Sequence, residues 1–310
     1  MVAEAAAAET WTFEDLCLWV YCVVDELWTQ IAPYDRRPGP APACSDAELV
    51  TMALIGEAKG WDQETELLSE WAAHRDLFPH QPSRTRFNRR RRALQGAINE
   101  LRRLILGLLD LAADRQCVID ALPIPVIRFH LVAGANRANW QAYEARFGKV
   151  PSKKLTIFGY KLYLLVGLNG VILDFVLAPA NVLELHAGVE LLEEHTDLDA
   201  VGDKAFVSAP VAERLAAENR VRLITLPRRN QRRQAPPAVR RLVNGARQII
   251  ETVTGQLTEQ FHIEVNHAQS FWGLTARLLT KLTAHTLCLY LNRLLGKPEF
   301  RHIKELAFPI

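Results

Sequence analysis

Long uncharged hydrophobic runs are missing from this 310-residue chain. No stretch of about twenty apolar residues escapes interruption by charge, so a transmembrane helix is not expected. Residues 1–10 are Ala-rich with Glu4 and Glu9. They have neither a basic start nor an apolar centre, so they read as a disordered tail rather than a secretory signal. Cysteine is scarce too. The five (Cys17, Cys22, Cys44, Cys117 and Cys288) are odd in number and nowhere spaced as a zinc-binding pair. That speaks against a disulfide framework and fits a reduced, cytoplasmic setting. No internal repeat is present.

Acidic residues are nearly absent from two blocks, and these say more than the net charge of +2. From Arg84 to Arg103 there are eight Arg and one acid, Glu100; from Pro227 to Ile250 there are seven Arg and no acid. A coding bias toward Arg explains the number but not the clustering. Arg forks match phosphate geometry, so a polyanionic partner is expected.

The first hundred residues read as helices. Thr12 with Asp15 resembles a capping box that opens a helix to about Ile31, and Ser45 with Glu48 opens a second, ending near Gly60. A third should cover about Gln63 to Trp71. Ser83 starts a fourth whose later turns repeat apolar residues at Leu94, Ile98, Leu101, Ile105 and Leu108. That spacing predicts one long helix with a buried C-terminal half and a cationic N-terminal half. Arg84, Arg86, Arg89, Arg90, Arg91 and Arg92 are then candidate DNA contacts, as on a helix-turn-helix-like reader; the bland alternative is a solvated basic face.

From Arg115 the texture changes. Arg115 to Val126 is short, apolar and β-branched, closed by Pro123 and Pro125, and reads as a buried strand with Asp120 in its middle. Arg128 to Leu155 is polar and basic and reads as a long excursion. Gly159 to Val166 and Val171 to Ala178 are strands joined by an Asn169-Gly170 turn. Further elements are a helix near Leu185–Glu194, a strand from Leu198 ending at Asp203, a helix at Ala209–Glu218, a strand at Val221–Leu226, and a helix opened by Pro236-Pro237. A core helix runs from Phe271 to Leu295. Strands alternating with helices predict a mixed α/β sheet flanked by helices.

Three acids stand out. A buried, unpaired carboxylate is costly, so Asp120 calls for a cation or donors, although an Asp before a Pro-rich turn can simply bond nearby backbone N–H groups. Asp203 ends a strand after Gly202. Glu251 lies on a helix about 100° round from the stripe of Ile250, Val253 and Leu257. Two strand positions and a helix could converge at one sheet end, and three hard oxygen donors suit Mg²⁺ or Mn²⁺. Two such ions per site would favour in-line attack on a phosphodiester. Arg247, one turn before Glu251, is either an i,i+4 partner or a phosphate contact. Lys204, Arg228 and Arg229 follow strand ends and could line the same cleft, and Lys153 and Lys154 belong to the basic excursion. His186 and His195 read as surface or satisfied histidines rather than ligands.

Val118-Ile-Asp-Ala-Leu-Pro123, Gly159-Tyr-Lys-Leu, Ala178-Pro-Ala-Asn181, Gly202-Asp203 and Arg247-Gln-Ile-Ile-Glu251, in this order and spacing, resemble the DDE transposases of bacterial insertion sequences. The nearest type is the insertion-sequence family numbered nine hundred and eighty-two, over about residues 45 to 295. The resemblance implies an RNase H-like, retroviral-integrase-like catalytic core with Asp120, Asp203 and Glu251 as the catalytic and metal-binding triad. It also implies an N-terminal all-α DNA-binding region, and a homodimer or higher assembly on DNA. The partners would be the element's terminal inverted repeats and target DNA, with no small-molecule substrate. The expected division is a tail at 1–10, helices at 11–113, the catalytic domain at 114–296 and a tail at 297–310. Related enzymes often carry Tyr, two residues, Arg, three residues, Glu, six residues, Lys; here Asn244 replaces the Tyr and Thr258 the Lys. Asn181 and Glu184 match an Asn-x-x-acid turn, with Glu184 a possible outer acid. The competing readings are a catalytically silent, domesticated repressor derived from a transposase, and a stand-alone metal-dependent nuclease.

Overall fold

A computed structural model describes residues 11–32, 39–109, 115–128, 131–132, 134–227, 235–297 and 302–307. The chain forms two compact units, residues 1–109 with 275–310, and residues 110–274. Residues 275 onward group with the helices of the first unit.

The helical unit contains α1 (Phe13–Ile31), α2 (Asp46–Ala58), α3 (Glu64–Ala73), α4 (Arg84–Ala93), α5 (Gln95–Leu108), most of α10 (Phe271–Leu294) and α11 (Lys304–Ala307). Both expected capping boxes form: Thr12 with Asp15, and Ser45 with Glu48. Each satisfies two N-terminal N–H groups reciprocally, which fixes where those helices start. The single long helix expected after Ser83 is two helices. Leu94 (φ −84, ψ 4) leaves helical geometry and ends α4 as it starts α5.

Charges are buried here. Glu57 on α2 is fully buried and ion-pairs with Arg91 on α4 and with Lys281 on α10, the latter at 2.5 Å. Arg91 also donates to Thr280 Oγ1 at 3.2 Å. Burial pushes the Glu57 carboxyl up, but the charges of Lys281, Arg91 and Arg277 outweigh that and bring it down to about 2. Arg91 is therefore removed from the expected DNA contacts, because its guanidinium is only 2% exposed and is spent on an internal pair.

The second unit is built on a six-stranded sheet of β1 (Gln116–Ile127), β2 (Arg146–Val150), β3 (Leu155–Gly167), β4 (Ile172–Pro179), β5 (Asp199–Gly202) and β6 (Arg222–Thr225). The order is β2-β3-β1-β5-β6, with β4 also on β3. β3 runs antiparallel to β1, β2 and β4; β1, β5 and β6 are mutually parallel. Around it lie α6 (Gly134–Gln141), α7 (Glu184–Glu193), α8 (Ala209–Glu218) and α9 (Pro237–Glu259). Ala187 and Leu191 of α7 and Leu215 of α8 share a core cluster with Cys117, Ile119, Tyr163 and Leu165 of the sheet, while α9 packs along β1.

The basic excursion from Arg128 to Leu155 contains α6 and β2. β1 runs through Pro123 and Pro125 instead of stopping there. Pairing with β5 ends at Ile119–Gly202, so that edge of β1 is open where the prolines sit, and a residue without an N–H costs no ladder bond there.

Candidate active site

The sheet itself brings two of the three acids together. In the parallel pair, Val118 lies opposite Val201 and Ile119 opposite Gly202. One step further on each strand stand Asp120 and Asp203, where β5 ends and the chain turns away. Successive strand residues point to opposite faces. Cys117 and Ile119 face the α7–α8 cluster, so Asp120 faces the other way.

Each carboxylate is held by the backbone next to it. Asp120 Oδ1 accepts from the Ala121 N–H at 2.8 Å. Asp203 Oδ1 accepts from the Ala205 N–H at 2.7 Å and so caps the short 3₁₀ turn Lys204–Phe206. Phe206 is buried, and the lack of a side chain at Gly202 and Gly188 lets its ring lie close: a Cβ at Gly188 would sit 2.1 Å from Phe206 Cε1. The glycine before Asp203 thus serves packing of the turn that carries the acid.

The electrostatics match the geometry. Burial raises the Asp120 carboxyl most. The Ala121 N–H lowers it, the carboxylates of Asp203 and Glu184 raise it, and Arg247 lowers it; the result is about 6. Two acids that repel across neighbouring strands, with a cation close by, form a centre prepared for positive charge.

Glu251 is exposed on α9, one turn past Arg247, itself exposed. Among the described residues no group of three His, Cys, Asp or Glu side chains is close enough to hold a metal ion. Asp120 and Asp203 are therefore brought together, whereas Glu251 does not stand with them as a ready three-ligand set. Lys204 is exposed beside Asp203. Lys153 pairs with Glu264 at 2.5 Å, and Lys154 is exposed. On α4, Arg84, Arg86, Arg89 and Arg92 are exposed, and Arg90 bonds Asp46 at 2.6 Å and the Cys44 carbonyl at 2.9 Å. Arg228 and Arg229 lie outside the described residues. His195 Nε2 lies 3.1 Å from Asp174, away from the acids' strands, and His186 is exposed.

Sequence reasoning passed over Lys161. Its side chain is almost buried on β3 and holds Glu184, at the start of α7, at 2.8 Å. The signal is a lysine inside an apolar strand, which needs an acid, and Glu184 is the one that reaches it.

A family model described as a transposase DDE domain matches residues 116–271. The matched segment starts with β1 and contains Asp120, Asp203 and Glu251. No curated protein and no solved structure matches the chain.

Proposed function

The chain belongs to the transposase DDE-domain family, and from that premise we propose that it is the DNA transposase of an insertion sequence, of the type numbered nine hundred and eighty-two. The observation that carries this reading is the pair Asp120 and Asp203, side by side at the ends of parallel strands inside the matched segment. The strand order β4-β3-β1-β5-β6, with the first two strands antiparallel to their neighbours and the last three parallel, supports an RNase H-like core.

In this reading Asp120, Asp203 and Glu251 are the residues that would hold divalent cations, Mg²⁺ or Mn²⁺. Carboxylates that repel one another fit such a role, because a cation relieves both. When bound, two such ions supply Lewis-acid charge to an in-line displacement at phosphorus. Arg247 sits beside the acids and neutralises phosphate charge. A water oxygen attacks a phosphodiester at the element's end; the P–O bond to the 3′ oxygen breaks and leaves a 3′-hydroxyl. That hydroxyl then attacks a target phosphodiester, forming one P–O bond as another breaks. The exposed Arg84, Arg86, Arg89 and Arg92 of α4 contact the terminal repeats, together with Lys154, Lys204, Arg228 and Arg229. Two copies acting on two ends make a dimer or higher assembly the working form, and the bacterial cytoplasm its place.

The test is electrophoresis of labelled element-end DNA with protein and Mg²⁺. Nicks and strand-joined products are expected, both lost in Asp120→Asn with DNA binding retained. Undiminished cutting by that variant rules the site out. Binding without cutting by the wild type points to a silent repressor, and cutting without joining to a nuclease.

A further inference from the structure

Beyond the acids, β1 leads into a cleft of about 450 Å³, within the usual range for small-ligand sites. Its walls come from residues 125–128, from α6, and from residues 264–269 after α9. Pro125, Val126, Ile127 and Trp140 line it together with Asn139, Asn266 and His267, whose side chains can hydrogen-bond. Asn266 is buried and fixed in orientation: its Nδ2 donates to the Pro125 carbonyl at 2.9 Å, and its Oδ1 accepts from the Ala268 N–H at 3.0 Å.

The segment that carries these residues is conformationally strained. His262 (φ 45) and His267 (φ 49) both adopt the left-handed region, which side chains other than glycine enter at a cost. Such strain persists where the surrounding structure enforces it, and it gathers at ligand sites. Glu264, on the rim, is neutralised by Lys153 at 2.5 Å, and Arg128 is exposed at the mouth.

Aromatic rings continue outward from the cleft wall. Trp140 meets Tyr160 edge-on, Tyr160 packs on Phe271, and Phe271 stacks on Tyr143 with centroids 4.9 Å apart and planes 4° from parallel. Trp272 closes the series against Tyr143 and is 51% exposed. A recess lined by apolar and hydrogen-bonding side chains, with exposed Arg128 at its mouth and a series of rings leading from Trp140 to exposed Trp272, has the chemistry that receives one unstacked base and stacks another.

We propose that this cleft binds a single unstacked nucleobase of the DNA end, with Trp272 and Tyr143 as the platform for its neighbour. It rests on the DNA-processing reading above and adds a site to it. At about 3.3 Å per strand residue, residues 125–128 lie roughly 16–26 Å along β1 from Asp120. The base would thus be gripped several nucleotides from the scissile phosphate. A mismatched or frayed base costs least to extrude, so the cleft favours DNA whose end is open.

The experiment is equilibrium binding to a duplex with one 2-aminopurine opposite an abasic position, and to the same duplex fully paired, in chelator so that nothing is cut. The wild type is expected to bind the unpaired-base duplex more tightly and to change its 2-aminopurine emission. Trp272→Ala and Asn139→Ala should each reduce that preference at least about fivefold, the loss of one stacked or hydrogen-bonded base. Both side chains are exposed, so neither change is expected to alter the thermal melt, which is checked; the variant that leaves the melt unaltered decides. Equal affinity of the wild type for the two duplexes, or variants that retain the full preference, overturns the cleft assignment while leaving the transposase reading standing. No binding to either duplex overturns both.

Discussion

Asp120 and Asp203 stand one step beyond the paired Ile119 and Gly202, so two parallel strands deliver two carboxylates side by side. The repulsion this creates has a direct thermodynamic consequence. Asp120 titrates at about 6 rather than its ordinary 3.8, raised first by burial and then by Asp203 and Glu184. Between those values the folded chain holds a proton that the unfolded chain has released. Stability therefore falls as pH rises from about 4 to about 6, and the loss persists above. Asp120→Asn removes the cost. In chelator near neutral pH it is expected to be more stable than the wild type by about 1–3 kcal/mol, and the difference should vanish below about pH 4. Superimposable melts at both extremes would show that the acid is not repelled.

Divalent ions should act in the opposite direction. A ligand that binds only the folded state raises its stability by mass action. Mg²⁺ or Mn²⁺ is expected to raise the melting temperature of the wild type clearly and that of Asp120→Asn or Asp203→Asn little. Equal shifts in all three would place the ion elsewhere.

Glu251 is expected to separate chemistry from folding. Its side chain is exposed, so Glu251→Gln should change stability by no more than about 0.5 kcal/mol. Cleavage of end DNA should nevertheless be lost, with binding retained. Full activity in this variant would leave Asp120 and Asp203 without their third acid, and Glu184, already acting on Asp120, would become the residue to test.

The two acids on strands were legible because strands fix register: a carboxylate at the end of a short apolar run has few places to go. Glu251 was legible only as a helix position, since a long side chain on α9 is not bound to one neighbour by local geometry. The basic helix resists reading for a related reason. Phe87, Arg91, Leu94 and Ile98 lie on one stripe of about helical spacing, with Arg91 inside it. The block of arginines hides that periodicity. Glu57 in apolar α2 and Lys281 in apolar α10 are the clue, because buried charges need partners far away in sequence.

That difference within one helix can be measured. Arg91→Ala leaves Glu57 buried with one partner fewer and is expected to cost about 3–5 kcal/mol. Arg84→Ala, Arg86→Ala and Arg89→Ala, all at exposed positions, should leave stability nearly unchanged. They should weaken DNA binding instead and reduce its salt slope by roughly 0.9 for each phosphate no longer neutralised. An unchanged slope in the triple variant would remove α4 from the DNA interface.

Gly188 on α7 offers the last test, because it reaches the site through one ring. A Cβ there would meet Phe206 Cε1 at 2.1 Å and Cζ at 3.0 Å, and Phe206 is almost fully buried, with Gly202 close on its other side. The ring cannot yield without moving the 3₁₀ turn that Asp203 caps. Overpacking of this kind costs typically about 1–3 kcal/mol. Gly188→Ala should therefore lower the melting temperature and also blunt the Mg²⁺-induced rise in melting temperature, since Asp203 shifts with the turn. Phe206→Leu in the same chain should restore part of both by making room for the added methyl. A Gly188→Ala protein as stable and as responsive to Mg²⁺ as the wild type would mean that the turn is not held by this packing, and that Asp203 keeps its place for another reason.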